Sequence, residues 1–141
     1  MMLYLDNAAT TLKKPLSVYA TLFKSTLFSG GNAGRGGHKM SMDAVRAIVD
    51  TQDLIAQLFN IKKAENIVFT QNATYALNTA ILGTMSNGGH IVVTEMDHNS
   101  VLRPACLPGN YTVVKADKSG YVHAEDVEKA VRKDTNLIVC T

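Results

Sequence analysis

The spacing of apolar residues changes character partway along the chain. Leu16, Tyr19, Ala20, Phe23 and Leu27 recur at helical intervals and predict a helix from Pro15 to about Phe28, where Ser29-Gly30-Gly31 stops it. Residues 30–38, "GGNAGRGGH", are too rich in glycine for a regular element and read as a loop. Ser41 then predicts the cap of a long amphipathic helix ending near Asn60. Its stripe runs through Val45, Ile48, Val49, Ile55, Ala56 and Phe59 and is broken only by Gln52. From there, short apolar runs alternate with helical patterns. Strands are expected at 66–70, 90–94, 111–115 and 136–140, and helices at 73–86, 100–106 and 124–133, with a turn over 116–122. Such a βαβαβαβ series implies a parallel sheet covered by helices, with right-handed connections and ligands beyond the carboxyl ends of its strands.

One strand-to-helix junction concentrates polar groups. In "IVFTQNATYALNTAI", residues 67–81, the segment Gln71-Asn72-Ala73-Thr74 places a capping side chain, a small residue and a hydroxyl where the first helical N–H groups lack partners. Helix starts of this kind attract anions, although the same residues serve equally as a plain cap. Asn72 also tolerates the left-handed backbone that a sharp turn can demand. His98, in the polar loop after strand 90–94, is expected over the same sheet edge as Thr74; on its own such a histidine is more often an ordinary surface or capping residue, and the pairing with the helix start shifts that balance.

Other phosphate motifs are excluded. No glycine-bracketed Gly-Lys-Ser or Gly-Lys-Thr follows a strand, and the 30–38 loop does not follow one either, so it is no dinucleotide fingerprint. Its glycines suit close approach of backbone to a ligand or to another subunit. Within it, Arg35 and His38 are candidates for a carboxylate or phosphate contact, the alternative being ordinary solvation. His38, His90, His98 and His123 share no spacing, which argues against a metal site.

Composition narrows the class without adding chemistry. The chain has 141 residues, 46% hydrophobic and 18% charged, as expected of one globular core. Its 14 Lys and Arg against 12 Asp and Glu are spread without basic runs, so neither nucleic acid nor a membrane surface is expected as a partner. The opening "MMLYLDNAATT" lacks a basic leader, and no apolar run approaches the ~18 residues of a spanning helix, which points to the cytoplasm. Cys106 and Cys140 lie in different elements and read as incidental thiols.

Four segments, "YLDNAATT", "GNAGRGGHKMS", "IVFTQNATYALN" and "VVTEMDHNSVLRP", in this order, resemble the N-terminal part of class V aminotransferase-fold enzymes, specifically the cysteine desulfurase family. The resemblance implies an α/β, three-layer α/β/α architecture, the fold type I of PLP-dependent transferases, present as an incomplete large domain with a mainly parallel sheet. Residues 1–30 would be an N-terminal arm and helix, and 31–141 the first part of the PLP-binding large domain. It implies pyridoxal 5′-phosphate as cofactor, L-cysteine as substrate, alanine and a persulfide sulfur as products, a homo-oligomer, and a sulfur-acceptor protein as a further partner. Ala73 and Thr74 match positions that hold the cofactor phosphate, and His98 matches the histidine that stacks on the pyridine ring and helps proton transfer. Asn7, Arg35 and His38 match regions near the substrate pocket and subunit interface.

The sequence also departs from the family pattern. Asn72 stands where relatives often carry glycine, and Tyr75 where an acid is common. The cofactor lysine, the Asp that partners the pyridine nitrogen and the acceptor cysteine would all lie beyond Thr141, so the chain alone is expected to be inactive. Other class V reactions, transamination or selenocysteine cleavage, and a non-catalytic oligomerising module are the alternatives. In the implied sheet, strands 111–115, 90–94 and 136–140 pair in that spatial order. Strand 66–70 would lack its neighbour, and either re-docking of that strand or completion of the sheet by another chain is expected.

Overall fold

Pro15 stands at the N-cap of the first helix, α1 (Leu16–Phe28), where its missing N–H costs nothing and its carbonyl accepts from Val18 N at 3.0 Å. The computed structural model describes residues 3–141, which fall into two compact units, one ending at Val68 and one running from Phe69 to Thr141. In the first unit the glycine loop leads into α2 (Lys39–Phe59). His38, not Ser41, is the cap: its Nδ1 accepts from Ser41 N at 3.4 Å. Ser41 instead turns its buried hydroxyl back into the loop, donating to the carbonyls of Asn32 (2.6 Å) and Arg35 (3.2 Å). The Asn32 carbonyl takes a second donor from Arg35 N at 3.2 Å, so the hydroxyl and the backbone together close the loop. Gly31 is required beside them, because a Cβ there would collide with the backbone of Met40 and Ser41. Asn60 closes α2 in the left-handed conformation, φ 53°.

The expected strand at 66–70 is not one. Ala64–Asn66 forms a 3-10 turn, and residues 67–70 carry no ladder partner, which a strand needs for its backbone groups. Gln52 of α2, the polar break in the apolar stripe, donates from Nε2 to the Ile67 carbonyl at 2.7 Å and supplies one bond that a neighbouring strand would have made.

In the second unit, α3 (Ala73–Thr84) is followed by a 3-10 turn at Met85–Asn87 and by β1 (His90–Thr94), α4 (Asn99–Cys106), β2 (Tyr111–Val114), α5 (Ala124–Ala130) and β3 (Thr135–Ile138). The last helix and the last strand stop short of the expected 133 and 140. Three parallel strands lie in the order β2-β1-β3, the expected arrangement of the segments near 111, 90 and 136. Ile91 and Val93 point into a core with Ile81, Met85, Val101 and Ala105, flanked by Leu77, Leu102, Val113, Leu137 and Val139. His90, Val92 and Thr94, on the alternate positions of β1, are equally buried, as a central parallel strand requires. His90 is polar there because it joins three strands: Nδ1 lies 2.8 Å from Thr135 Oγ1 and Nε2 2.9 Å from Thr112 Oγ1.

Candidate functional site

The chain moves from β1 to β2 on one side and returns past β1 to β3 on the other, which makes the carboxyl ends of β1 and β3 a switch point, where open α/β sheets bind ligands. The starts of α3 and α4 border one cleft. Asn72 caps α3 from an extended conformation (φ −167°), not the left-handed one, and its Oδ1 accepts from Tyr75 N at 2.9 Å. Its carbonyl accepts from Ala76 N at 3.1 Å. Geometry at the first turn leaves the amides of Ala73 and Thr74 without an intrahelical acceptor.

His98 caps α4. Its Nδ1 accepts from Ser100 N at 3.1 Å and lies 2.9 Å from Ser100 Oγ. A backbone N–H can only donate, so this bond uses Nδ1 as an acceptor.

Asn78, one helical turn beyond Thr74, fastens the two helices. Its Nδ2 donates to Thr74 O at 2.8 Å and reaches Ser100 O at 3.4 Å. Pro104 explains the second bond, since it has no N–H to offer the carbonyl four residues back, and Asn78 supplies a donor instead. Thr74, Asn78, His98, Asn99, Ser100 and Arg103 line one cleft of about 340 Å³. Arg103 makes no salt bridge among the described residues, so the cleft carries an uncompensated positive charge.

Thr74 and His98, chosen from sequence, therefore share a cleft, and Ala73 adds a backbone amide at the same helix start. Asn78 and Arg103 were not singled out. The i+4 relation to Thr74 would have pointed to Asn78, whereas nothing in the local pattern separates Arg103 from any helix arginine. Arg35 and His38 lie in the first unit, where their backbone and ring groups build the loop and the cap of α2. Asn7 is exposed in the irregular segment before α1.

The fold is that of known enzymes. A NifS-like protein superposes with a TM-score of 0.82 at 23% identity, over 95% of this chain and 38% of the other. SspA, solved in complex with cysteine, gives 0.80 at 26% identity over 94% and 40%. The architecture is thus the three-layer, mainly parallel α/β fold of PLP-dependent transferases, represented by part of its large domain. The sequence profile of the "Aminotransferase class-V" family matches residues 3–141, and the chain belongs to that family. A probable cysteine desulfurase of Aeropyrum pernix is 34% identical over 96% of the chain, and the cysteine desulfurase IscS of Dictyoglomus turgidum is also 34% identical over 96%. The chain spans about a third of the length of these relatives, 34% and 36% respectively.

Enzymes of this family work with pyridoxal 5′-phosphate. The chemistry of the lining fits its phosphate: Thr74 in the first turn of α3 brings an amide without an intrahelical acceptor and a hydroxyl, Arg103 a guanidinium, and no carboxylate lines the cleft. No helix among the described residues is long and apolar enough to cross a membrane.

Proposed function

We propose that this chain is the N-terminal part of a cysteine desulfurase-type enzyme, with L-cysteine as substrate, alanine and protein-bound persulfide sulfur as products, and the cleft between α3 and α4 as the cofactor's phosphate and ring site. Residues 31–141 are then the first part of the cofactor domain and 1–30 its arm. A homo-oligomer, a sulfur-acceptor protein and a cytoplasmic setting belong to the same reading. One observation supports it: Thr74, in the first turn of α3, and His98, the cap of α4, line a single cleft together with Arg103.

Pyridoxal phosphate supplies an electron sink for bonds at the α-carbon of an amino acid. This chain's residues supply placement. Ala73 and Thr74 would hold the phosphate, while Asn72 Oδ1 accepts from Tyr75 N and so caps the helix start itself. The His98 ring would stack on the pyridine, with Nε2 left to handle a proton because Ser100 engages Nδ1. Arg35 and His38 of the glycine loop, with Asn7, are assigned to the substrate side or the subunit interface.

The test is in two parts. In a complete enzyme containing this segment, Thr74→Ala is expected to weaken cofactor retention by about 1–2 kcal/mol, the scale of one charge-assisted hydrogen bond. The 141-residue chain, mixed with pyridoxal phosphate and reduced with borohydride, should show no stoichiometric label on a single lysine and should release no alanine from cysteine. A specific label accompanied by alanine would refute the assignment of the lysine and the acceptor cysteine to other parts of the enzyme. Unchanged retention in Thr74→Ala would refute the phosphate site.

A further inference from the structure

Between β1 and the His98 cap lies a carboxylate that neither the cleft nor the cofactor reading uses. Asp97 is only 5% exposed. Its Oδ2 accepts from Thr94 N at 2.7 Å and from Thr94 Oγ1 at 2.8 Å, and its Oδ1 accepts from Thr141 Oγ1 at 2.6 Å. Its own N–H donates to Thr94 O at 3.2 Å. No lysine, arginine or histidine pairs with it among the described residues. Both oxygens of this buried carboxylate are thus bonded, as burial of a polar group requires.

The two oxygens bind in different directions. Oδ2 folds the chain back on the last residue of β1, which sets the tight turn Thr94-Glu95-Met96-Asp97. Oδ1 ties that turn to the residues following β3, on the other side of the switch point. The next residue is His98, whose ring is fixed on its far side only by Ser100.

We infer that Asp97 is a positioning residue for His98: by clamping the β1 turn to Thr94 and Thr141 it fixes where α4 begins, and so where the His98 ring stands in the cleft. The inference rests on the proposed role of His98, but the clamp itself is a property of the chain without cofactor. The carboxylate acts here through hydrogen-bond geometry. An asparagine of the same shape could reproduce that geometry, accepting both Thr94 bonds on its oxygen and donating to Thr141 Oγ1 from its amide.

The experiment reads the His98 ring nitrogens by long-range proton–nitrogen NMR in the 141-residue chain, with His98→Gln for assignment, and then follows pyridoxal phosphate by induced circular dichroism. The parent should show the neutral Nε2–H form with Nδ1 unprotonated. Asp97→Ala should move both nitrogens toward the averaged signals of a free histidine and weaken pyridoxal phosphate binding roughly tenfold, while Asp97→Asn should stay within about twofold of the parent. Parent-like His98 signals in a folded Asp97→Ala chain would overturn the inference, as would an Asp97→Asn chain that behaves like Asp97→Ala. Should Asp97→Ala fail to fold, Thr141→Val decides: a partial shift of the His98 signals supports the clamp and unchanged signals reject it. Absence of any pyridoxal phosphate signal in the parent would count against the cofactor reading alone, because the His98 nitrogens report on the clamp independently.

Discussion

Two helices of similar apolar content, α1 in the first unit and α3 in the second, end in opposite situations. No residue of α1 is buried, and Leu16, Phe23 and Phe28 are 84%, 68% and 70% exposed. In α3, Ile81 is 1% exposed and packs with Met85 against Ile91 and Val93 of β1. The first unit is held by local hydrogen bonds: the Asn32 and Arg35 carbonyls to Ser41, the His38 cap, and Gln52 to Ile67. The second has a sheet, and a sheet gives helices a continuous apolar face to cover. Periodicity is enough to specify a helix, but burial needs a surface that the helix does not itself contain.

The sharpest way to break this contrast is to empty the core on one side and trim an exposed ring on the other. Ile91→Ala should cost about 2–5 kcal/mol in urea unfolding, whereas Phe23→Ala should stay within about 0.5 kcal/mol. Comparable losses would mean that α1 is buried in solution.

A second effect is expected from pH. Burial holds His90 below its ordinary value of 6.5, Arg132 adds to this, and Asp134 partly opposes it. The unfolded chain therefore takes up a proton before the folded one does. The stability that neutral His90 contributes is complete above 6.5 and is lost as pH falls from there toward the folded value. Asp134, lowered chiefly by its hydrogen bond from Asn110, titrates below this window. Urea midpoints measured from pH 8 to 5 should decline with acid, and in His90→Gln the decline should flatten; an equal slope in both would reject the assignment.

Smaller is the cap of α3. Asn72→Ala should destabilise by about 1 kcal/mol, visible as faster amide exchange at Tyr75 and the residues following it, with α2 exchange unchanged. Least of all should follow from the exposed Lys39–Asp43 pair at 2.6 Å. Its components are solvated on either side of unfolding, and Asp43→Asn should leave the melting midpoint within error of the parent.

Much of this was legible along the chain because the deciding interactions are local. The five helices, the positions of three apolar strand segments and the Asn72 cap follow from residues within a few positions of each other. Thr74 and His98 were legible as candidates for a related reason: each sits just after an apolar run, where an α/β protein presents its loops. Three features were not legible. Ser41 looked like a cap by residue type, but the loop carbonyls of Asn32 and Arg35 compete for its hydroxyl, and His38 takes the cap. Residues 67–70 have a strand's composition, but a strand exists only when its backbone groups are answered by a neighbour. Arg103 joins the site because α3 and α4 pack side by side, which no spacing within α4 announces.

By itself, the sequence determined the five helices, the positions of three strands, the family and the Asn72 cap of α3, since propensity, capping and motif act over short stretches of chain. Tertiary structure alone decided which apolar stripes are buried, that the segment near 66–70 stays unpaired, that Pro104 leaves a carbonyl for Asn78, and that Asp97 reaches Thr141 across 44 residues. Those outcomes depend on which backbone groups and side chains meet across the sheet, and long-range pairing is specified by the packed whole rather than by any window of the chain.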